Sequence, residues 1–132
     1  FGRVILIDCH SMPHEAIEAH CRQQGALAEV VLGDRFGAAA GAEIVDVIEA
    51  VFRAAGLKVA RNTPFAGAYI SKQYGRPGLG QHVVQIELDR SLYMDEASLV
   101  RHSGFDRMQA VMTQVIEAMV ELGRPQMPLA AE

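Results

Sequence analysis

The stretch Arg3-Val4-Ile5-Leu6-Ile7 decides the fold, and it leads directly into Asp8-Cys9-His10-Ser11. A short, continuous apolar run of this kind is typical of a strand that is buried on both faces, in a sheet that helices cover. A cysteine at the end of such a strand is expected to be a buried thiol. The sequence therefore predicts an α/β protein whose first strand ends in a cluster of polar side chains.

The residues that follow predict alternating helices and strands. Between Gly41 and Ala55 the apolar residues recur at spacings of three and four, which lines one face of a helix, and Gly56 ends it. Three more segments surround it: a helix from Pro13 to Gly25, a strand from Glu29 to Leu32 and a strand from Leu57 to Ala60. Two successive strand–helix–strand units of this kind build a mostly parallel sheet.

The second half of the chain has a long loop-rich segment and then a fourth strand. Residues Asn62 to Gln81 are rich in glycine and proline, with a short strand predicted at Gly67 to Ser71. His82 to Leu88 is the fourth strand, and Ser103 opens a final helix whose methionine-containing stripe is expected to be core packing. The expected fold is a single α/β domain with a mostly parallel, partly mixed sheet and flanking helices.

Composition excludes several classes of function. The chain has 132 residues, half of them hydrophobic, which suffices for one domain with a core. The net charge of −4 comes with scattered basic residues, so neither a nucleic-acid surface nor a polybasic membrane anchor is expected. Apolar runs fall far short of the roughly 20 residues that span a bilayer. Two cysteines are too few for a disulfide framework, and a reducing cytoplasm is the expected location.

Asp8 and His10 are two residues apart at the end of the first strand. Strand alternation directs both side chains to the same side of the sheet. A carboxylate beside an imidazole fixes the tautomer of the ring, as in many metal-bound histidines. The alternative is a hydrogen-bonded structural pair without a metal.

Glu87 lies between aliphatic residues in the predicted fourth strand. Burial of an ionised carboxylate is costly unless the group is paired or needed for function, and burial would raise its pKa toward the range of a general base. The alternative is a glutamate paired with a neighbouring arginine such as Arg90. The residues alone leave both interpretations open.

Four long stretches resemble the signature blocks of one family. They are Asp8-Cys9-His10-Ser11-Met12-Pro13, Leu32-Gly33-Asp34-Arg35-Phe36-Gly37, Asn62-Thr63-Pro64-Phe65-Ala66-Gly67 and Gln85-Ile86-Glu87-Leu88-Asp89-Arg90-Ser91-Leu92-Tyr93-Met94. In this order they resemble the blocks of the N-formylglutamate amidohydrolase family, and Tyr74-Gly75-Arg76-Pro77 resembles its substrate loop. The resemblance runs from Phe1 to about Asp95. That family is similar in fold and metal chemistry to the zinc carboxypeptidases and aspartoacylases.

The resemblance implies roles for two of these residues. His10 matches a histidine ligand of Zn²⁺ at a strand end, and Glu87 matches the carboxylate that activates the attacking water. Asp8 would then be the carboxylate that orients His10, as the spacing of the two residues already indicates. The other ligands are expected upstream of Phe1, so the chain is expected to be the carboxyl-terminal half of a longer amidohydrolase domain. By itself it is expected to bind zinc poorly and to be inactive.

The implied substrate is N-formyl-L-glutamate, cleaved to formate and L-glutamate in histidine degradation. Its carboxylates call for a guanidinium fork, with Arg35, Arg76 and Arg90 as candidates. Asn62 and Tyr69 could hydrogen-bond to the amide. The alternatives are an aspartoacylase-like or carboxypeptidase-like hydrolase of another N-acyl amino acid, and a non-catalytic binding module.

Two further expectations concern the remaining histidines and self-association. His14, His20 and His102 are expected at the surface, and His82 is ambiguous because it lies close to Glu87 in the sequence. An exposed sheet edge could pair copies of the chain into an oligomer.

Overall fold

The computed structural model describes residues 2–21 and 27–124. The helices and strands in this part of the chain, in chain order, are β1 (Val4–Met12), α1 (His14–Cys21), β2 (Val30–Gly33), α2 (Ala42–Ala54), β3 (Val59–Arg61), α3 (Tyr69–Tyr74), β4 (Gln81–Asp89), β5 (Met94–Asp95), β6 (Val100–Arg101) and α4 (Gly104–Gly123). The predicted end of the first helix at Gly25 lies outside the described residues. No helix in these ranges is both long and apolar enough to cross a membrane.

The main sheet has the strand order β1-β4-β2-β3. β1 is parallel to β4 and β2 is parallel to β3, whereas β2 and β4 are antiparallel. The predicted α/β fold with a mostly parallel, partly mixed sheet is therefore confirmed.

The two strand–helix–strand units turn out differently. The second unit, β2–α2–β3, joins neighbouring parallel strands as predicted. The first prediction is wrong: β4 lies between β1 and β2, and these two strands run in opposite directions. Residue patterns report which segments are strands, but the order of strands depends on packing between segments distant in sequence.

The prediction that both faces of β1 are buried is wrong, because Val4 and Leu6 on one face are exposed. Within the described part of the chain, β1 pairs along one edge, with β4. Cys9 is exposed as well, which corrects the expected buried thiol. An apolar run can indicate a strand, but which of its faces a helix covers depends on the rest of the fold.

The core lies between the sheet and two helices. Helix α2 buries Ile44, Val45, Ile48 and Phe52, which confirms the stripe predicted from their spacing. Helix α4 packs against the same cluster and buries Met108 within it, so its methionine content is core packing as predicted. Fully burying each such side chain contributes about 1.5–3 kcal/mol to the stability of the folded state.

Residues 67–71 were predicted as a strand and instead lead into helix α3. Gly67 has φ +109°, which interrupts extended backbone and which L side chains rarely adopt. The Lys72 N–H then donates to the Ala68 carbonyl at 3.1 Å and closes a helical turn. The spacing of apolar residues over five positions could not distinguish a strand from a helix, because so short a segment fits both patterns.

Helix α1 begins with His14, which joins it to the end of β4. The His14 Nδ1 lies 2.6 Å from Asp89 Oδ2, and the His14 backbone N–H donates to the Glu96 carboxylate at 3.2 Å. His14 has 35% of its side-chain surface exposed, so it lies at the surface as predicted although it is paired, and His20 and His102 are exposed. The hydrogen bond to Asp89 raises the pKa of His14, against the opposing effect of burial.

This pair predicts a pH-dependent contribution to stability. A histidine whose folded pKa lies above its unfolded value, about 6.5, stabilises the fold fully below that value and loses this contribution as pH rises through the folded pKa. We expect His14→Gln to lower the free energy of unfolding more at about pH 5.5 than at about pH 8.5, measured in urea. His20→Gln, on the exposed side of α1, is the control. A loss that is equal at both pH values would contradict the prediction.

Candidate functional site

The register of β1 and β4 brings the predicted site residues together. Asp8 lies opposite Gln85 and His10 lies opposite Glu87, so alternation places all four side chains on one face. The His10 Nε2 is 2.9 Å from Asp8 Oδ1, and the His10 Nδ1 is 3.8 Å from Glu87 Oε1. The predicted common side for Asp8 and His10 is confirmed, and their roles stay predictions.

Glu87 is a buried carboxyl group, with 7% of its surface exposed. Burial raises its pKa above the ordinary value, although the neighbouring His10 and a hydrogen bond from Gln85 partly offset the rise. Arg90 is not its ion-pair partner among the described residues, because that guanidinium donates to the Ser11 hydroxyl at 3.1 Å and the Ser11 carbonyl at 3.2 Å. The alternative of a Glu87–Arg90 ion pair is therefore not what the fold forms.

Each ring nitrogen of His10 lies near a carboxylate: Nε2 near Asp8 and Nδ1 near Glu87. In the neutral ring, donation from Nε2 to Asp8 leaves Nδ1 with the free lone pair, on the side of Glu87. The ring is 44% exposed, and the second oxygen of Asp8 is buried without a hydrogen-bond partner in the described structure. A ring held in this way is oriented to bind a cation through Nδ1.

The described residues could supply part of the ligand set of a zinc site but not a complete set. Zinc takes about three protein ligands in catalytic sites. Within residues 2–21 and 27–124, no group of three or more histidine, cysteine, aspartate or glutamate side chains could hold a metal ion. The chemistry of His10 and Asp8 suits a histidine ligand with its orienting carboxylate, and further ligands would have to come from other parts of a polypeptide.

Residues 65–68 lie against the sheet at Gly33 of β2 and Gln85 of β4, where they form a wall. A Cβ atom at Gly33 would come within 2.6 Å of the Gly67 nitrogen, so this close approach requires glycine. The Arg35 N–H donates to the Ala66 carbonyl at 2.7 Å, and the Ala68 N–H donates to Gln85 Oε1 at 2.7 Å. This wall segment, residues 65–68, is thereby tied to both β4 and the loop after β2.

Asn62 fixes the loop that follows β2. Its Oδ1 accepts from the backbone N–H groups of Asp34, at 3.0 Å, and Phe36, at 3.2 Å, and its Nδ2 donates to Asp34 Oδ1 at 2.6 Å. These contacts occupy its amide with the protein itself. Its assignment as a substrate contact stays a prediction.

The structure places the other four substrate-binding candidates in different surroundings. Arg35 reaches the Gly67 carbonyl with Nη1 at 3.4 Å, and Arg90 bonds to Ser11, the residue after His10. Tyr69 follows the wall segment and is 69% exposed. Arg76 pairs through its backbone with Gln81, at the opposite end of β4 from Glu87 and roughly 20 Å of strand away. The fold thus brings the backbones of Arg35, Tyr69 and Arg90 toward the site, but not that of Arg76.

The sequence alone did not single out Gln85, and it left the role of His82 open. Gln85 is a buried polar residue on the face of Glu87, and the alternation argument used for Asp8 and His10 would have placed it there. His82 lies on the opposite face, where its Nδ1 accepts the Gly41 N–H at 3.1 Å at the start of α2. His82 is therefore a helix-capping residue.

The fold and these side chains define a class of protein: a mixed α/β protein with an imidazole and a buried carboxyl group from neighbouring strands on one face of its sheet. The family model of N-formylglutamate amidohydrolase matches residues 1–94. The chain belongs to the N-formylglutamate amidohydrolase family.

Relatives of known name agree with this assignment. The chain is 33% identical to N-formylglutamate deformylase of Pseudomonas aeruginosa, over 94% of its own length and 47% of that protein's. It is 30% identical to the enzyme of the same name from Pseudomonas putida, over 93% of its own length and 46% of that protein's. The chain therefore spans about half the length of the curated relatives it matches.

Solved structures support the fold. The chain superposes on N-formylglutamate amidohydrolase from Ralstonia eutropha JMP134 with a TM-score of 0.79 and 36% identity, covering 91% of this chain and 44% of that one. A protein from Agrobacterium tumefaciens is similar in fold, with a TM-score of 0.51 at 16% identity, covering 92% of this chain and 44% of that one.

Proposed function

We propose that this chain supplies the general base and one metal ligand of a zinc-dependent hydrolase that cleaves the linear amide of an N-acyl amino acid. The proposed substrate is N-formyl-L-glutamate, and the products are formate and L-glutamate. The observation that carries the proposal is the His10–Glu87 pair, with 3.8 Å between Nδ1 and Oε1, in a member of the N-formylglutamate amidohydrolase family.

Glu87 is the proposed general base. Burial raises its pKa toward the range in which a carboxylate accepts a proton readily near neutral pH. It takes a proton from the water that attacks the formyl carbon. As the C–N bond breaks, it gives that proton to the departing amine, so the carboxylate is regenerated.

The proposed cofactor is Zn²⁺, held in part by His10 through Nδ1. Asp8 fixes the ring by accepting from Nε2 at 2.9 Å, the arrangement that orients many histidine ligands. The remaining ligands would come from polypeptide outside residues 1–132. When bound, zinc supplies a Lewis acid that polarises the amide carbonyl and stabilises the charge that develops on it.

The two carboxylates of the substrate need cationic partners. Arg90 is the best placed of the candidates, because its guanidinium bonds to Ser11, the residue after His10. Arg35 contacts the wall segment at Gly67 and can serve the second carboxylate. Tyr69 and Asn62 remain proposed contacts of the amide, and Arg76 remains a candidate although its backbone pairs with Gln81, at the opposite end of β4 from Glu87.

A substrate panel tests the proposal. The natural polypeptide that contains residues 1–132 is incubated with N-formyl-L-glutamate, N-acetyl-L-aspartate and a carboxypeptidase substrate, and released amine is measured with and without a strong chelator. We expect chelator-sensitive turnover that is highest with N-formyl-L-glutamate, and residues 1–132 alone should be inactive. Preference for another substrate would change the assigned acyl amino acid. Full turnover in the presence of chelator would overturn the metal chemistry.

The proposed setting is histidine breakdown in the cytoplasm. The thiol of Cys9 is exposed, and a reducing compartment keeps such a thiol unoxidised. Measuring growth on histidine as nitrogen source after deletion of the gene tests this setting, and unimpaired growth would contradict it.

A further inference from the structure

Gln85 is a buried polar residue that the proposed chemistry does not use. It is 3% exposed and lies two residues before Glu87 on β4, so both side chains are on the same face of the sheet. A primary amide buried in this way needs a hydrogen-bond partner at each end. Gln85 has one at each.

The two hydrogen bonds of Gln85 join the carboxyl group of the site to its wall. Its Nε2 donates to Glu87 Oε1 at 2.8 Å, and its Oε1 accepts the Ala68 N–H at 2.7 Å. The Ala68 carbonyl in turn accepts the Lys72 N–H and so begins α3. One side chain therefore links the orientation of Glu87 to the position of the wall segment.

The bond to Oε1 determines which oxygen of Glu87 is left to react. The terminal torsion of a glutamate is broad, so an unrestrained carboxylate samples many orientations. Gln85 holds Oε1, which is also the oxygen nearest to His10 Nδ1, at 3.8 Å. Oε2 is then the oxygen available to accept a proton.

We propose that Gln85 is a positioning residue, which orients Glu87 for proton transfer and couples that orientation to the wall segment. Its effect on the rate rests on the proposed function. The coupling between Glu87, Gln85 and Ala68 is a property of the chain that can be measured without any reaction.

Two substitutions at Gln85 separate its two bonds. Gln85→Met keeps the length of the side chain and removes both bonds. Gln85→Glu keeps an acceptor for the Ala68 N–H and replaces the amide donor with a second carboxyl group, which repels ionised Glu87 or shares a proton with it. Gln81→Met is the matched control, because Gln81 lies on the same strand and face but is exposed.

We expect kcat for N-formyl-L-glutamate to fall roughly 10- to 100-fold in both Gln85 variants, with KM within about twofold of wild type. In the 132-residue chain, amide hydrogen exchange by NMR should show Ala68 protected in Gln85→Glu and exchanging faster in Gln85→Met. Gln81→Met should match wild type in both measurements.

The outcomes distinguish this inference from the proposed function. Wild-type kcat in both Gln85 variants, or a raised KM with unchanged kcat, would overturn the positioning role. Equal protection of Ala68 in the two variants would overturn the coupling to the wall. If the wild-type polypeptide hydrolyses none of the panel, the proposed function fails together with the rate effect, and the exchange of Ala68 still decides the coupling.

Discussion

Glu87→Gln is expected to lower kcat by roughly 10²- to 10⁴-fold in the polypeptide that hydrolyses N-formyl-L-glutamate, the range that a general acid–base residue contributes. Glutamine has the shape of glutamate and keeps an oxygen for the hydrogen bond from Gln85 Nε2. It cannot take up a proton. The loss should therefore appear in kcat, while KM stays nearly constant because no substrate contact is removed.

The fold of this variant should remain intact. Burial raises the pKa of Glu87 in the folded state, so at neutral pH the ionised carboxylate costs stability, and a neutral isostere should leave Tm equal or higher. Thermal unfolding of the 132-residue chain measures this. Glu117→Gln, at an exposed position on α4, is the control and should keep full turnover. Near-normal kcat in Glu87→Gln would rule out Glu87 as the base.

The fold could be predicted where a local pattern determines it. The spacing of Ile44, Val45, Ile48 and Phe52 identifies α2 because a helix at the surface of a core buries one face whatever its neighbours are. The insertion of β4 between β1 and β2 could not be predicted in this way. It depends on contacts between residues 77 positions apart, as in the pairing of Val4 with Gln81.

The site followed from alternation and from the cost of buried charge. Asp8 and His10 had to share a face, and a carboxyl group among aliphatic residues had to be either paired or functional. Neither argument could predict which strand lies beside β1. The parallel pairing of β1 with β4 is what brings Glu87 to His10. The contacts of Asn62 with Asp34 were likewise not predictable, because they join two loops.

His10→Ala is expected to remove turnover and to lower zinc affinity by more than about 100-fold, beyond the effect of changing a group that only orients a ligand. Asp8→Asn should have the smaller effect, roughly 10- to 100-fold, because it weakens the bond that fixes the ring and leaves the ring itself in place. Both effects are measured in the natural polypeptide that contains residues 1–132, as its zinc content after dialysis against graded chelator and as kcat. His20→Ala, at an exposed position on α1, should change neither.

The relative size of these two effects on zinc affinity distinguishes a metal ligand from a pair that only stabilises the fold. If Asp8 and His10 only stabilise the fold, both substitutions act on the same 2.9 Å hydrogen bond, which His10→Ala removes and Asp8→Asn weakens, so their effects should appear in the free energy of unfolding and zinc content should stay unchanged. A metal ligand predicts the opposite pattern, because the ring is 44% exposed and its loss costs little packing, whereas the site loses a donor atom. Stoichiometric zinc in His10→Ala would therefore exclude His10 as a ligand, whatever happens to stability.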